Sequence, residues 1–283
     1  MIQKSDPLGF IVWNVDPRII PDLEFLRWYG LLWAAGIILG YQVMSVIYKK
    51  ELRPQSELEK LVTYVILGVL IGARLGHILF YDPLYYWHNP IEILPFKLDP
   101  HFQFTGITGL ASHGGVIGAL FALFLYTRKY SKDYLWILDR LTIAASLLGC
   151  FIRMGNLMNS EIIGKPSTVP WAFILTRVDQ IPRHPTQVYE AVSYFLVFVL
   201  LFVLWRLGKV ERRKGFLFGL GLALIFIQRF LIEFIKEDQV AFEKGLWLNM
   251  GQWLSIPMIL IGALFIAMSF KHSVRSIELN GSK

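Results

Sequence analysis

Residues 138–161 read LDRLTIAASLLGCFIRMGNLMNSE. From Leu141 to Ile152 the stretch is almost wholly apolar. At ~1.5 Å of helical rise per residue, the run over 138–158 crosses about 30 Å of hydrocarbon. It then places Arg153, Asn156 and Asn159 three residues apart, on one helical stripe. A guanidinium that deep in a lipid-spanning helix costs several kcal/mol unless it faces a polar cavity or a partner. The stretch therefore predicts a membrane span and, built into it, a polar site.

Six more runs of spanning length lie around it, near 28–48, 61–81, 109–127, 188–206, 216–235 and 251–270. The 283-residue chain is 55% hydrophobic with a mean hydropathy of +0.50, too apolar for a soluble domain. The expected fold class is an all-α polytopic membrane protein of seven transmembrane helices, with 1–283 as a single transmembrane domain. In a soluble chain the net charge of +7 would suggest nucleic acid. Here the basic residues gather in short loops, where they orient the chain instead. Fifteen Lys and Arg follow the first, third, fifth and seventh runs, against nine in the N-terminal segment and the other loops. The richer side is cytoplasmic, so the N-terminus is expected outside and the C-terminus inside.

The first two dozen residues carry Asp6, Asp16, Asp22 and Glu24 and lack the basic start and apolar centre of a removable signal peptide. The first span is expected to target the chain itself. Cys150 has no second cysteine to pair with and reads as an inert core thiol. Two outside loops are long, 82–108 and 159–187. Tyr85, Tyr86, Trp87, Pro90, Pro95 and Phe96 suit a segment in the headgroup layer, either an aromatic belt or an arm that touches substrate. The second loop is expected to form a periplasmic cap.

Four basic residues remain inside the runs: Arg74, Arg140, Arg153 and Arg229. Arg140 lies near a cytoplasmic end and is expected to snorkel. The other three sit roughly 20 Å from the inner face, in the outer half of the bilayer. His113 reaches a similar level, and Tyr29, Gln187, Tyr189 and Glu190 approach it. Three arginines at one depth, without three obvious acidic partners, predict an anionic ligand. Glu233, one helical turn after Arg229, is expected to neutralise that one. The surplus charge suits a phosphate, which arginine grips bidentately, and in the outer leaflet the simplest phosphate is a phospholipid headgroup. A structural ion network is the alternative.

Ser112 and His113 are neighbours, but neighbours on a helix point about 100° apart and cannot form a dyad with each other. There is no G-x-S-x-G elbow either. His113 is open to a packing role or a catalytic one. The spacings Gly68/Gly72/Gly76, Gly114/Gly118 and Gly215/Gly219 predict closely packed helices. No His, Cys, Asp or Glu cluster has metal-ligand spacing, so neither metal nor cofactor is expected.

In combination these motifs resemble the prolipoprotein diacylglyceryl transferase family. The resemblance runs from about Trp28 to Gln252. It rests on Arg27 to Gly30, Gly72-Ala73-Arg74-Leu75-Gly76, His113-Gly114-Gly115, the stretch from Arg153 to Glu161 with Gly164, His184 to Glu190, and Arg229 to Glu233. Ile152 stands where the family usually has glycine. The resemblance implies a bacterial cytoplasmic membrane enzyme with its active site toward the outer leaflet. Its implied partners are phosphatidylglycerol and prolipoprotein signal peptides carrying a lipobox, with no nucleic acid. It implies functional roles for Tyr29, His113, Arg153, Asn156, Glu161, Gly164, Arg229 and Glu233. Joined to the residue chemistry, it makes His113 the base for the substrate thiol, and gives the phosphate to Arg153 and Arg229. Arg74, Asn156, Asn159, Gln187 and Tyr189 then help to hold the headgroup, while Glu161 and Glu233 orient the arginines. A phospholipid transporter or flippase without chemistry is the rival reading. It explains the arginines but not the histidine beside them, and the paired broken helices of inverted repeats are missing. A hydrolase using Ser112 or His113 would need a base partner that the sequence does not place.

Overall fold

Each apolar run becomes a helix because a bilayer offers backbone N–H and C=O groups no partner but their own chain. The computed structural model describes residues 2–4, 9–23, 26–94, 96–97, 103–104, 109–208, 213–238 and 247–281. Asp6, Glu24, Pro95, Lys209, Arg212, Lys283 and most of 98–108 lie outside them, as do the side chains of Phe96, Ser112 and Arg275. The helices are α1 (Trp28–Lys50), α2 (Gln55–Tyr81), α3 (Pro83–His88), α4 (Ser112–Tyr130), α5 (Tyr134–Asn159), α6 (Thr186–Arg206), α7 (Phe216–Ile232) and α8 (Met250–Gly281). α7 continues into a 3₁₀ turn, Glu233–Ile235. Six are long and apolar enough to cross a membrane: α1, α2, α5, α6, α7 with its turn, and α8. α4 has 19 residues, and polar groups at both ends, His113, Arg128 and Lys129, dilute its apolar centre. α2 starts six residues before the expected 61 because its first turns, with Glu57, Glu59 and Lys60, are helical without being apolar.

The chain forms two compact units, Met1–Met44 with Leu135–Lys283, and Ser45–Tyr134. In the second, the predicted glycine stripes of α2 and α4 face each other. A Cβ on Gly68 would lie 2.6 Å from the Gly118 carbonyl oxygen, and one on Gly76 would lie 2.7 Å from Gly114 Cα. The two backbones touch, so any side chain there forces them apart. Beyond α2 the chain folds back on Arg74. The guanidinium donates Nε to Ile93 O at 2.9 Å, Nη1 to Gly109 O at 3.4 Å and Nη2 to Glu92 O. It also lies 5.1 Å from the centre of the Tyr86 ring. Leu84 and Trp87 of this arm are exposed.

The first unit contains strands as well as helices. β1 (Ile2–Lys4), β2 (Ile11–Trp13), β5 (Phe173–Leu175) and β6 (Pro182–Arg183) form one sheet in the order β1-β2-β5-β6. The remaining strands, β3 (Phe96–Lys97) and β4 (Gln103–Phe104), pair in the other unit. β2 runs parallel to β5, with Ile11 opposite Phe173. Trp13 and Leu175 bury against Leu157 of α5, which seats the sheet on the end of that helix. These strands are short additions to a chain that is mostly helical, as expected of an all-α membrane protein.

Arg140 corrects another expectation. It is buried at 3% exposure rather than snorkelling, 3.6 Å from Asp139 and 5.0 Å from the Trp136 ring centre. Asp139 accepts the backbone N–H groups of Gly215 and Phe218, each at 2.8 Å, and so caps α7. Gly215, at φ +84°, makes the turn before that helix, while Gly219 packs on Gly262 of α8. Gly215 also approaches α8, where a Cβ would lie 3.3 Å from the Phe265 ring.

Arg183 holds the end of the sheet through Asp179 at 2.6 Å, Glu237 at 2.7 Å and Gly164 O at 3.1 Å. The hydrogen bonds from Arg183 keep the Asp179 carboxyl below its ordinary 3.8. A carboxyl depressed on folding contributes stability that is whole above the ordinary value and is lost as pH falls through the folded one. Amide protection of β5 and β6 should stay level from neutral pH to about 4 and decline below 3.8. Hydrogen exchange measures this, and Asp179→Asn should flatten the dependence.

Candidate active site

α5 delivers Arg153 to the first unit's polar cluster, six residues before the helix ends. Its Nε lies 3.1 Å from Glu190 Oε2 on α6, off the N–H axis, so the pair is electrostatic rather than a directed hydrogen bond. Nη1 donates to Asn156 Oδ1 at 3.4 Å. The Tyr194 ring, 5.9 Å away, covers the guanidinium. Three side chains, from α5 and α6, thus fix one planar cation.

The stripe read from the sequence is present. Ser160 takes a left-handed conformation (φ 55°), ends α5 and turns Glu161 back along it. Glu161 Oε1 then accepts Asn156 Nδ2 at 2.7 Å and Asn159 Nδ2 at 3.3 Å. Gln187 Nε2 donates to the Glu161 carbonyl at 2.7 Å. Gly155 lets Tyr29 of α1 lie against this helix, since a Cβ there would sit 2.8 Å from the tyrosine ring. Gly164 is walled in by the His184 backbone and bridges to Lys236. Tyr189 accepts Trp171 Nε1 at 2.7 Å, an attachment between α6 and the loop above it.

The expected pairing of Glu233 with Arg229 does not occur. Glu233 Oε2 instead lies 3.2 Å from Lys236 Nζ, and the same ammonium donates to Glu190 Oε1 at 2.7 Å. The backbone N–H of Glu233 still bonds to Arg229 O, so the helical register holds and the carboxylate takes the lysine instead. Glu161 likewise orients the asparagines, not an arginine directly. Arg153, counted as lacking an acidic partner, has Glu190. The surplus cation is Arg229, whose guanidinium makes no hydrogen bond or ion pair among the described residues.

Arg74 and His113 belong to the other unit. Arg74 spends its donors on the arm's carbonyls. His113, the second residue of α4, is exposed and has no hydrogen-bond partner among the described residues.

Comparison with known proteins is decisive at this point. The family model described as prolipoprotein diacylglyceryl transferase matches residues 19–268. A phosphatidylglycerol–prolipoprotein diacylglyceryl transferase of Tolumonas auensis is 47% identical over 94% of this chain and 100% of its own. One from Bacteroides fragilis is 48% identical over 90% and 94%, and one from Chloroherpeton thalassium is 42% identical over 95% and 97%. The chain belongs to the prolipoprotein diacylglyceryl transferase family.

It is therefore a multi-pass membrane transferase, as its motifs suggested. Sequence reading missed one member of the transferase's cluster. Lys236 was counted as a loop cation, yet it is buried at 3% exposure between two carboxylates. The available signal was a lysine three residues after Glu233, directly behind an apolar run.

Proposed function

We propose that this chain transfers the diacylglyceryl group of phosphatidylglycerol to the lipobox cysteine thiol of a prolipoprotein signal peptide. This forms a thioether and releases glycerol-1-phosphate, the first step of bacterial lipoprotein maturation. The supporting observation is Arg153, fixed at Nε and Nη1 inside a spanning helix, with Arg229 unpartnered among the described residues of α7. A phosphodiester supplies the anion that Arg229 lacks among the described residues.

In this reading the thiol, with an ordinary pKa of about 8.5, gives its proton to His113. The thiolate attacks the glycerol carbon that carries the phosphodiester. The C–O bond breaks, and the electron pair leaves on the phosphate oxygen, where Arg153 and Arg229 stabilise it. Tyr29, Asn156, Asn159, Glu161, Gly164, Gln187, Tyr189 and Glu233 shape the headgroup site. Arg74 acts through the arm it fastens.

Parity supports seven spans. Hydrogen-bonded β2 and β5 must lie on one side of the membrane, which requires an even number of crossings between them. Of the six apolar helices, α1, α2 and α5 fall in that interval, which favours α4 as a fourth crossing. In this reading, which the positive-inside count also supports, the N-terminus and the sheet lie outside and the C-terminus in the cytoplasm, across a cytoplasmic (inner) membrane. The 1–283 chain is then one transmembrane domain, with 82–108 an interfacial arm and 159–187 a cap.

The test incubates the purified protein in phosphatidylglycerol vesicles with a lipobox peptide. A peptide that gains a diacylglyceryl mass without cleavage supports the transferase; no gain, or a cleaved peptide, sinks it. His113→Asn should lose at least about 10²-fold in turnover while still binding lipid. A near-normal rate across pH would move the base to another residue.

A further inference from the structure

Four side chains of the first unit form an alternating chain of charge: Arg153, Glu190, Lys236 and Glu233. Their side chains are 12%, 0%, 3% and 5% exposed. Burying one carboxylate is expensive, and burying two is tolerated only when cations meet both. Lys236 meets both at once, at 2.7 Å from Glu190 and 3.2 Å from Glu233. Its backbone is fixed independently, by Lys165 N to Ile235 O at 2.8 Å and Glu237 N to Ile163 O at 3.1 Å. A neutral, well-packed residue would satisfy that backbone equally well. The ammonium is there for its charge.

The consequence follows from counting signs. Glu190 holds the Nε edge of Arg153 and so aims the rest of the fork, but it also cancels that arginine's charge. Glu233 adds a second negative charge. With Lys236 in place the four balance, and the other two charged members of the proposed site, Arg229 and Glu161, balance each other in turn. Without it three carboxylates face two cations, and a phosphodiester meets a site of its own sign.

We propose that Glu190 and Lys236 are positioning residues for headgroup binding: Glu190 sets the Arg153 guanidinium, and Lys236 offsets the carboxylates so that the site remains receptive to a phosphodiester. This rests on the transferase reading above.

The experiment measures steady-state transfer by the full-length protein in vesicles of graded phosphatidylglycerol content, separating KM for the lipid from kcat. Lys236→Met should raise that KM about tenfold or more, with a much smaller change in kcat. Lys236→Arg should stay within about threefold of the parent. Lys236→Met combined with Glu233→Gln removes one charge of each sign and should recover most of the lost affinity. A purely structural anchor predicts the opposite, a double variant at least as impaired as the single. An unchanged KM in Lys236→Met, or an inserted double variant with KM still about tenfold high, overturns the proposal. Should Lys236→Met fail to insert, the double variant decides alone: KM near the parent supports the proposal, and KM about tenfold higher rejects it. If the parent protein itself adds no mass to the peptide, the transferase reading falls instead.

Discussion

Arg229→Ala should cut diacylglyceryl transfer by about 10²- to 10³-fold or more, with the protein still inserted and folded. Removing this side chain orphans no acid, because none among the described residues is bonded to it. Thermal unfolding should therefore match the parent, and the whole loss should fall on activity. Arg153→Ala should be as inactive but less stable, since it leaves Glu190, fully buried, with Lys236 as its remaining cation. Comparing the two variants separates loss of phosphate binding from loss of a buried ion pair. Full activity in purified Arg229→Ala would remove that residue from the mechanism.

The second large effect is on stability. Gly118 of α4 lies against Gly72 of α2, where a Cβ would meet the Gly72 Cα at 2.8 Å and press harder still on the Gly68 carbonyl. Backbone cannot step aside as a flexible side chain can. Gly118→Val should cost roughly 3 kcal/mol or more, or prevent the pair from forming. Gly115→Ala, one residue beyond the stripe's edge, is the control. Its nearest neighbours, at 3.5 and 3.6 Å, are side-chain and backbone atoms at ordinary contact distance, so it should change stability by less than about 0.5 kcal/mol. Unfolding in detergent, followed by helical signal, reports both. Equal stability of the two variants would mean that the stripes do not hold the helices.

The spans were legible because a bilayer demands length and apolarity, and both are visible in one dimension. The stripe Arg153, Asn156, Asn159 was legible because helical periodicity is fixed. The sheet was not. Its strands are two or three residues long, too short for alternation to register, and β2 finds β5 only through the fold. Arg140 was misplaced because an end-of-helix cation normally reaches water, whereas here Trp136 and Asp139 enclose it. Lys236 escaped because burial by a 3₁₀ turn leaves no periodic trace. The expected Glu233–Arg229 pair failed because helical spacing brings two side chains within reach without choosing between partners, and Lys236 takes the carboxylate.

The parallel pairing of β2 with β5 also dictates a timetable. β2 leaves the ribosome well before its hydrogen-bonding partner, which is made only after α1, α2, α4 and α5. During that interval the hairpin of β1 and β2 waits with an open edge, the kind of edge that invites wrong partners. Docking of β5 therefore closes that edge late. A nascent chain with a helix inverted or skipped would strand the two on opposite faces and leave the hairpin exposed to proteolytic quality control.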